Sequence, residues 1–160
     1  MLNIHSILVD CLKKDRKAEY ALYKACHSYM FPICLRYKPN RDDALDLFNR
    51  SFLKIIQNLE QYDLEKSFEK WTKKILINTI IDEHRKNKNY SKHIELKSSE
   101  TFFEEPVFDV NLAEDKLNTN DLLKEIQRLP EPSRNILNLY VFESLSHEEI
   151  SKLLGISAVT

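Results

Sequence analysis

The chain contains a single glycine, Gly155, in 160 residues. Phosphate-cradling loops and dinucleotide fingerprints need several glycines where the backbone closely approaches a ligand, so nucleotide-binding enzymes of those types are nearly excluded. Cysteine is scarce as well: Cys11, Cys26 and Cys34 are odd in number, form no Cys-x-x-Cys pair and follow no signal peptide. Free thiols in a reduced, cytoplasmic compartment are therefore expected. The histidines are scattered and no His or Cys spacing resembles a zinc site, so neither a metal nor a cofactor is expected. No stretch is long and apolar enough to span a membrane. A surplus of charge is also missing, since the formal net charge is -1. Proteins that coat DNA without regard to sequence rely on a large excess of Lys and Arg, so any contact with nucleic acid here must rest on local charge.

What is present is helical periodicity. A hydrophobic content of 42% suffices for modest cores, and the length permits one ordinary domain or two small ones. The segment from Phe68 to Lys86 contains neither Gly nor Pro, and its apolar residues recur at helical spacing, which predicts one long helix. At about 100° per residue, Lys70, Lys74, Asn78 and Arg85 fall along one stripe, with Phe68, Trp71 and Ile75 to one side of it. Between Lys66 and Lys92 the basic residues outnumber the acids Glu69, Asp82 and Glu83. Lys and Arg neutralise phosphates, and an Asn among them can pair with a base edge, so the stripe suits nucleic acid. On periodicity alone the plainer reading is a solvated surface above a core-facing Phe68 and Trp71.

The pattern Phe68-x-x-Trp71, Ile75-x-x-Asn78, Ile81-Asp82 and Arg85, followed by further basic residues, resembles region two of bacterial sigma factors of the small extracytoplasmic-function class. The run Ala44-Leu45-Asp46-Leu47-Phe48-Asn49-Arg50-Ser51-Phe52-Leu53-Lys54 is similar to a second motif of that family, with Leu45, Asn49 and Arg50 departing from its usual Glu, Gln and acid. The resemblance implies that this helix docks on the beta-prime clamp helices of core RNA polymerase, through Asp46, Leu47, Asn49, Arg50 and Phe52. It further implies that the long helix meets the minus-ten promoter DNA through Lys70, Lys74, Asn78, Arg85 and Lys86. The loop before it, with Gln61, Tyr62 and Lys66, would then capture an unstacked base. Extruding a base costs a few kcal/mol, roughly, which stacking and edge hydrogen bonds must offset. An exposed connecting loop is the alternative reading of those three residues.

Taken in order, Ile4 to about Lys13 should form a short helix, and Asp15 can cap a second that runs to Tyr37 and bends at Pro32. A third is expected from Arg41 or Asp42 to Leu59, with Leu45, Phe48, Phe52, Ile55, Ile56 and Leu59 as its core face. From Asn87 to about Asn120 the sequence turns polar and acidic and reads as a linker, with an unusual apolar cluster at Phe102, Phe103, Val107 and Phe108. Beyond it, Leu122, Leu123, Ile126 and Leu129 mark one helix, and Pro132 fits the first turn of the next. Ser146 with Glu149 forms a capping-box pattern, and Gly155 suits the left-handed end of the helix that follows.

The stretch Leu145 to Ser157 looks like the first half of a helix-turn-helix, and is similar to sigma region four. Ile150, Leu153 and Leu154 would pack the motif, Gly155 would make the turn, and Ser157 would open a recognition helix extending past Thr160. The chain stops where that helix should begin, which reads as truncation of a longer product.

The expected architecture is all-α: a region-2 domain over residues 1–90, a polar linker over 91–119 and a region-4 domain over 120–160 that lacks its recognition helix. The expected function is an alternative sigma factor, not an enzyme, with core polymerase and promoter DNA as partners and an anti-sigma factor left open. Carboxylate pairs such as Asp42-Asp43 and Glu148-Glu149 lie at helix starts, where the dipole already explains them. Competing readings are a helical adaptor or an anti-sigma-sequestered regulator without DNA binding of its own, and a one-component helix-turn-helix repressor.

Overall fold

The computed structural model describes residues 4–95 and 118–157. Among the described residues there are seven α-helices and no strand: α1 (Ile4–Leu12), α2 (Arg16–Tyr37), α3 (Arg41–Gln57), α4 (Phe68–Glu95), α5 (Thr119–Arg128), α6 (Glu131–Val141) and α7 (His147–Leu154). The apolar cluster Phe102, Phe103, Val107 and Phe108, most of the expected linker and Thr160 lie outside the described residues.

Helix starts follow local chemistry. Asp15 accepts from the amides of Lys17 at 2.7 Å and Ala18 at 3.1 Å, and these bonds hold its carboxyl below the usual carboxylate range. Asn40 caps α3 and Asn118 caps α5 in the same way. Helix α2 continues through Pro32 as a single element, with the proline exposed.

Three boundaries differ from the sequence expectation. Helix α3 ends at Gln57, and Leu59–Gln61 form a separate 3-10 turn, because Asn58 folds its side-chain amide back to the Lys54 carbonyl at 2.7 Å and closes the helix. Helix α4 runs on to Glu95, nine residues past Lys86, since a polar sequence without Gly or Pro has nothing to stop it. Helix α5 begins at Thr119, within the stretch expected as linker, at the Asn118 cap.

The first four helices enclose an apolar core. Leu22, Cys26, Met30, Cys34 and Tyr37 contribute from α2, Ala44, Leu47, Phe48 and Ile55 from α3, and Leu76, Ile77, Ile80 and Ile81 from α4, while α1 adds Ile7, Leu8 and Cys11. The assignment of Leu45 and Leu47 is the reverse of expectation: Leu47 is fully buried and Leu45 is 37% exposed. The buried set of α3, Ala44, Leu47, Phe48, Ser51 and Ile55, follows i, i+3, i+4, i+7 spacing, and Leu45 lies one residue off that stripe. All three cysteines are free and buried. Burial pushes the thiols of Cys11 and Cys26 up to about 11 and that of Cys34 to about 12, so they remain protonated and act as small apolar side chains.

Helices α5 to α7 pack against α2 and α4, and Leu139, Ile150 and Leu154 join the same apolar cluster. Around that seam the contacts are polar. The Arg134 guanidinium, itself buried, donates to the carbonyls of Tyr37 at 2.8 Å, Leu129 at 2.8 Å and Gln127 at 3.2 Å. Asn138 donates to the Arg36 carbonyl at 3.0 Å, and Lys38 pairs with Glu83 at 2.9 Å and with Glu131 at 3.6 Å.

Candidate nucleic-acid interface

Helix α4 buries Phe68, Thr72, Leu76, Ile77, Thr79, Ile80 and Ile81, packing against α2, α3 and α7, and leaves part of its circumference facing outward. On that face Lys70, Lys74, Asn78 and Arg85 are all exposed and fall within about 80° around the axis. Beneath its N-terminal end lie the aromatic anchors. Tyr62 meets Phe68 edge to face at 5.2 Å and lies 5.0 Å from Trp71, and its hydroxyl donates to the Lys66 carbonyl. Thr72 accepts or donates a 2.7 Å bond with Tyr29, tying the same turn of α4 to α2. The loop before α4 is thus fastened at Tyr62 and presents its polar side chains from a fixed base.

Between α3, the 3-10 turn and α4 runs a groove of about 380 Å³ lined by Lys54, Asn58, Gln61, Trp71, Lys74, Ile75 and Asn78. It combines an aromatic ring, two cations and three side-chain amides, which is a chemistry able to stack a base and bond its edges. Gln61, Lys74 and Asn78 were legible as members. Lys54 and Asn58 were missed, because Lys54 belongs to α3 and Asn58 caps its end, and only the crossing of α3 with α4 brings them to the groove.

The remaining expected residues divide. Lys66 is exposed beside Asp63 at 3.4 Å, at the edge of the loop rather than in the groove. Lys86 faces a second groove between α3 and α4, lined in part by Asp46, Arg50, Asp82 and Glu83, away from the Lys70 stripe. Arg85 shares the stripe, but its Nε donates to the Leu153 carbonyl of α7 at 2.7 Å.

On α3, Asp46, Asn49 and Arg50 are exposed, Phe52 is half-buried against Tyr23, and Leu47 is withdrawn from any partner's reach. Arg50 pairs with Asp46 at 2.8 Å and with Glu83 at 3.4 Å, while Asn49 accepts from the Tyr23 hydroxyl at 3.0 Å. The residue that departs in charge from the family pattern is therefore held by two acids of this chain.

In the second unit, Ser146 accepts from the Glu149 amide at 3.2 Å while the Glu149 carboxylate accepts from the Ser146 amide at 2.8 Å, a complete capping box. The bonds to Ser146 hold the Glu149 carboxyl below its ordinary value. Ile150 and Leu154 are buried, Leu153 is half-buried, Gly155 adopts φ 62°, and Ser157 is exposed just beyond the turn. An L side chain is strained at that φ, which explains why the one glycine stands there.

A helical bundle that exposes a basic stripe, joined to a second unit carrying a helix-turn-helix scaffold, defines a DNA-binding class. Residues 22–90 match the Sigma-70 region 2 family, and residues 119–160 match the family described as Sigma-70, region 4. The chain is 31% identical over 150 residues to the RNA polymerase sigma factor SigV of Bacillus subtilis (strain 168), covering 94% of this chain and 79% of SigV. It is 29% identical over 155 residues to the ECF RNA polymerase sigma factor SigW of the same organism, covering 92% and 83% respectively. The RNA polymerase sigma factor SigZ is 33% identical over 112 residues, 70% of this chain and 60% of SigZ. The chain belongs to the extracytoplasmic-function class of the sigma-70 family and is an alternative sigma factor that directs transcription initiation. Membership in that family carries binding to core RNA polymerase and promoter DNA. Among the described residues, no helix is long and apolar enough to cross a membrane.

Proposed function

We propose that the exposed face of α4 and the groove beside it form the minus-ten DNA site, and that the outer face of α3 binds the polymerase clamp. Lys70 and Lys74 would neutralise phosphates, Asn78 would contact a base edge, and Trp71 with Gln61 would hold an unstacked base in the groove. The observation that carries this reading is the groove itself, where Lys74, Asn78, Gln61 and Trp71 line one opening above a packed aromatic base. Asp46, Asn49 and Arg50 supply the polymerase contact, with Leu47 supporting the helix from inside. The region-2 unit spans residues 1–90 and the region-4 unit 120–160. The protein is cytoplasmic and contributes no catalytic chemistry of its own, the bond-forming steps belonging to polymerase. The second unit supplies the scaffold half of a reader of the upstream promoter element, and an anti-sigma partner fits the same class.

The test uses the full chain with core polymerase on a promoter library. Lys74→Ala should weaken complexes on all sequences and lower the salt slope by about one, as for a lost phosphate contact. Asn78→Ala should instead change the preferred minus-ten sequence. Unchanged salt dependence in the first, or an equal loss on every sequence in the second, removes that residue from the site. Failure to associate with core would favour the adaptor reading.

A further inference from the structure

The resemblance to region two sets Lys86 on the DNA side of α4, and the fold sets it elsewhere. Counted around the axis it lies about 160° from Lys70, 120° from Lys74 and 80° from Asn78, off the stripe that those three define. It opens instead into the second groove between α3 and α4, a depression of about 710 Å³.

The acids of that groove are answered by bases of this chain. Asp46 and Glu83 pair with Arg50 at 2.8 Å and 3.4 Å, Glu83 also pairs with Lys38 at 2.9 Å, and Asp82 pairs with Lys54 at 3.6 Å. Lys86 is the cation left over. Among the described residues, neither an ion pair nor a hydrogen bond engages it, and it is exposed. Leu53 of α3 lines the same groove and is 58% exposed. A free ammonium and an open leucine therefore share one concave surface.

The character of the walls selects the occupant. Three carboxylates along the groove oppose a polyanion even when each has a partner, and a leucine offers nothing to a sugar-phosphate backbone. A protein surface meets neither objection, since one carboxylate can pair with Lys86 while one apolar side chain covers Leu53. The groove is also continuous with the outer face of α3, because Asp46 and Arg50 belong to both.

We infer that the polymerase-binding surface runs from α3 across this groove to Lys86, and that its occupant is a segment of core RNA polymerase carrying an acidic and an apolar side chain. The inference rests on the assignment of α3 as the polymerase face. Helix α4 is then shared between two partners, with Lys70, Lys74 and Asn78 turned to DNA and Lys86 to polymerase.

The test uses the labelled full chain. Core polymerase is titrated in without DNA and followed by anisotropy, and promoter binding is then measured across salt concentrations at saturating core. Lys86→Gln and Leu53→Ala should each weaken core binding about fivefold, the scale of a peripheral contact, and leave the salt slope on promoter DNA unchanged. Lys13→Gln, an equal loss of charge at the end of α1, controls for net charge and should leave core binding as it was. Both substituted side chains in the groove are exposed, so helix content should be retained. Unchanged core binding in Lys86→Gln overturns the inference, and a salt slope lowered by about one in that variant makes Lys86 a phosphate contact instead. Asp46→Ala separates the extension from the assignment beneath it. Weaker core binding there, with none in Lys86→Gln or Leu53→Ala, confines the contact to α3 and sinks the extension alone. No loss in any of the three removes α3 from the polymerase face as well.

Discussion

The bundle of α1 to α4 and the seam that joins it to α5 to α7 are built from different chemistry. In the bundle, Phe48, Leu22, Met30, Leu47, Ile55 and Leu76 are all withdrawn from water and touch one another. In the seam, a few apolar residues are surrounded by Arg134, Asn135, Asn138, Arg36, Lys38 and Glu143, paired largely with backbone carbonyls and with each other. Apolar burial is non-directional and is lost only when the bundle unfolds. Polar pairs can be exchanged for water or for another polar surface, DNA included, at small net change. The contrast teaches that the bundle is held chiefly by apolar packing, whereas the second unit joins it through three buried apolar residues ringed by polar pairs.

That contrast can be broken at its strong side first. Phe48→Ala should destabilise the chain by about 3–5 kcal/mol, because its ring packs against Tyr23, His27 and Phe52 and the site cannot collapse. Denaturant unfolding followed by helix content checks this, and a loss below ~1 kcal/mol would mean the bundle is looser than described. At the seam, Arg134→Ala removes a buried donor to three carbonyls and should cost about 2 kcal/mol. The loss should appear as faster hydrogen exchange in α5 and α6 while α3 stays protected. Equal loosening of both units would show that the seam is part of one core.

A smaller effect is expected at the helix-turn-helix scaffold. Ser146→Ala breaks the capping box and should cost about 1 kcal/mol, read as faster exchange at the start of α7 alone. The smallest is a pH effect at His84. Its Nδ1 lies 3.3 Å from the Asn135 amide nitrogen, which has only protons to give, so the ring accepts and must be neutral there. Burial lowers its pKa, with Glu131 opposing and Lys88 assisting. The undocked ring binds a proton more readily, so docking is favoured above the ordinary value near 6.5 and weakens as pH falls below it. Scattering between pH 7.5 and 5.5, about two units spanning the ordinary histidine range, should show modest expansion that His84→Gln abolishes.

Much of this was legible in the chain because the signals are local. The capping box at Ser146 and Glu149, the left-handed turn at Gly155, the cap at Asp15 and the exposed stripe of α4 each depend on residues within a turn or two of one another. The exchange of Leu45 and Leu47 was not legible, since one helix bearing Ala44, Leu45, Leu47 and Phe48 offers two overlapping apolar stripes, and only α2 and α4 select between them. Nor was the groove membership of Lys54 and Asn58, which arises where α3 crosses α4.

The sequence by itself determined the all-helical course of the chain, the caps at Asp15, Ser146 and Gly155, the unpaired cysteines and the basic face, because backbone hydrogen bonding and side-chain periodicity act over a few residues. Only the tertiary structure decided which cations remain free. Arg85 and Lys88 lie 68 and 67 residues away in sequence from the carbonyls that hold them. No local pattern encodes a bond between a side chain on one helix and the unsatisfied end of another.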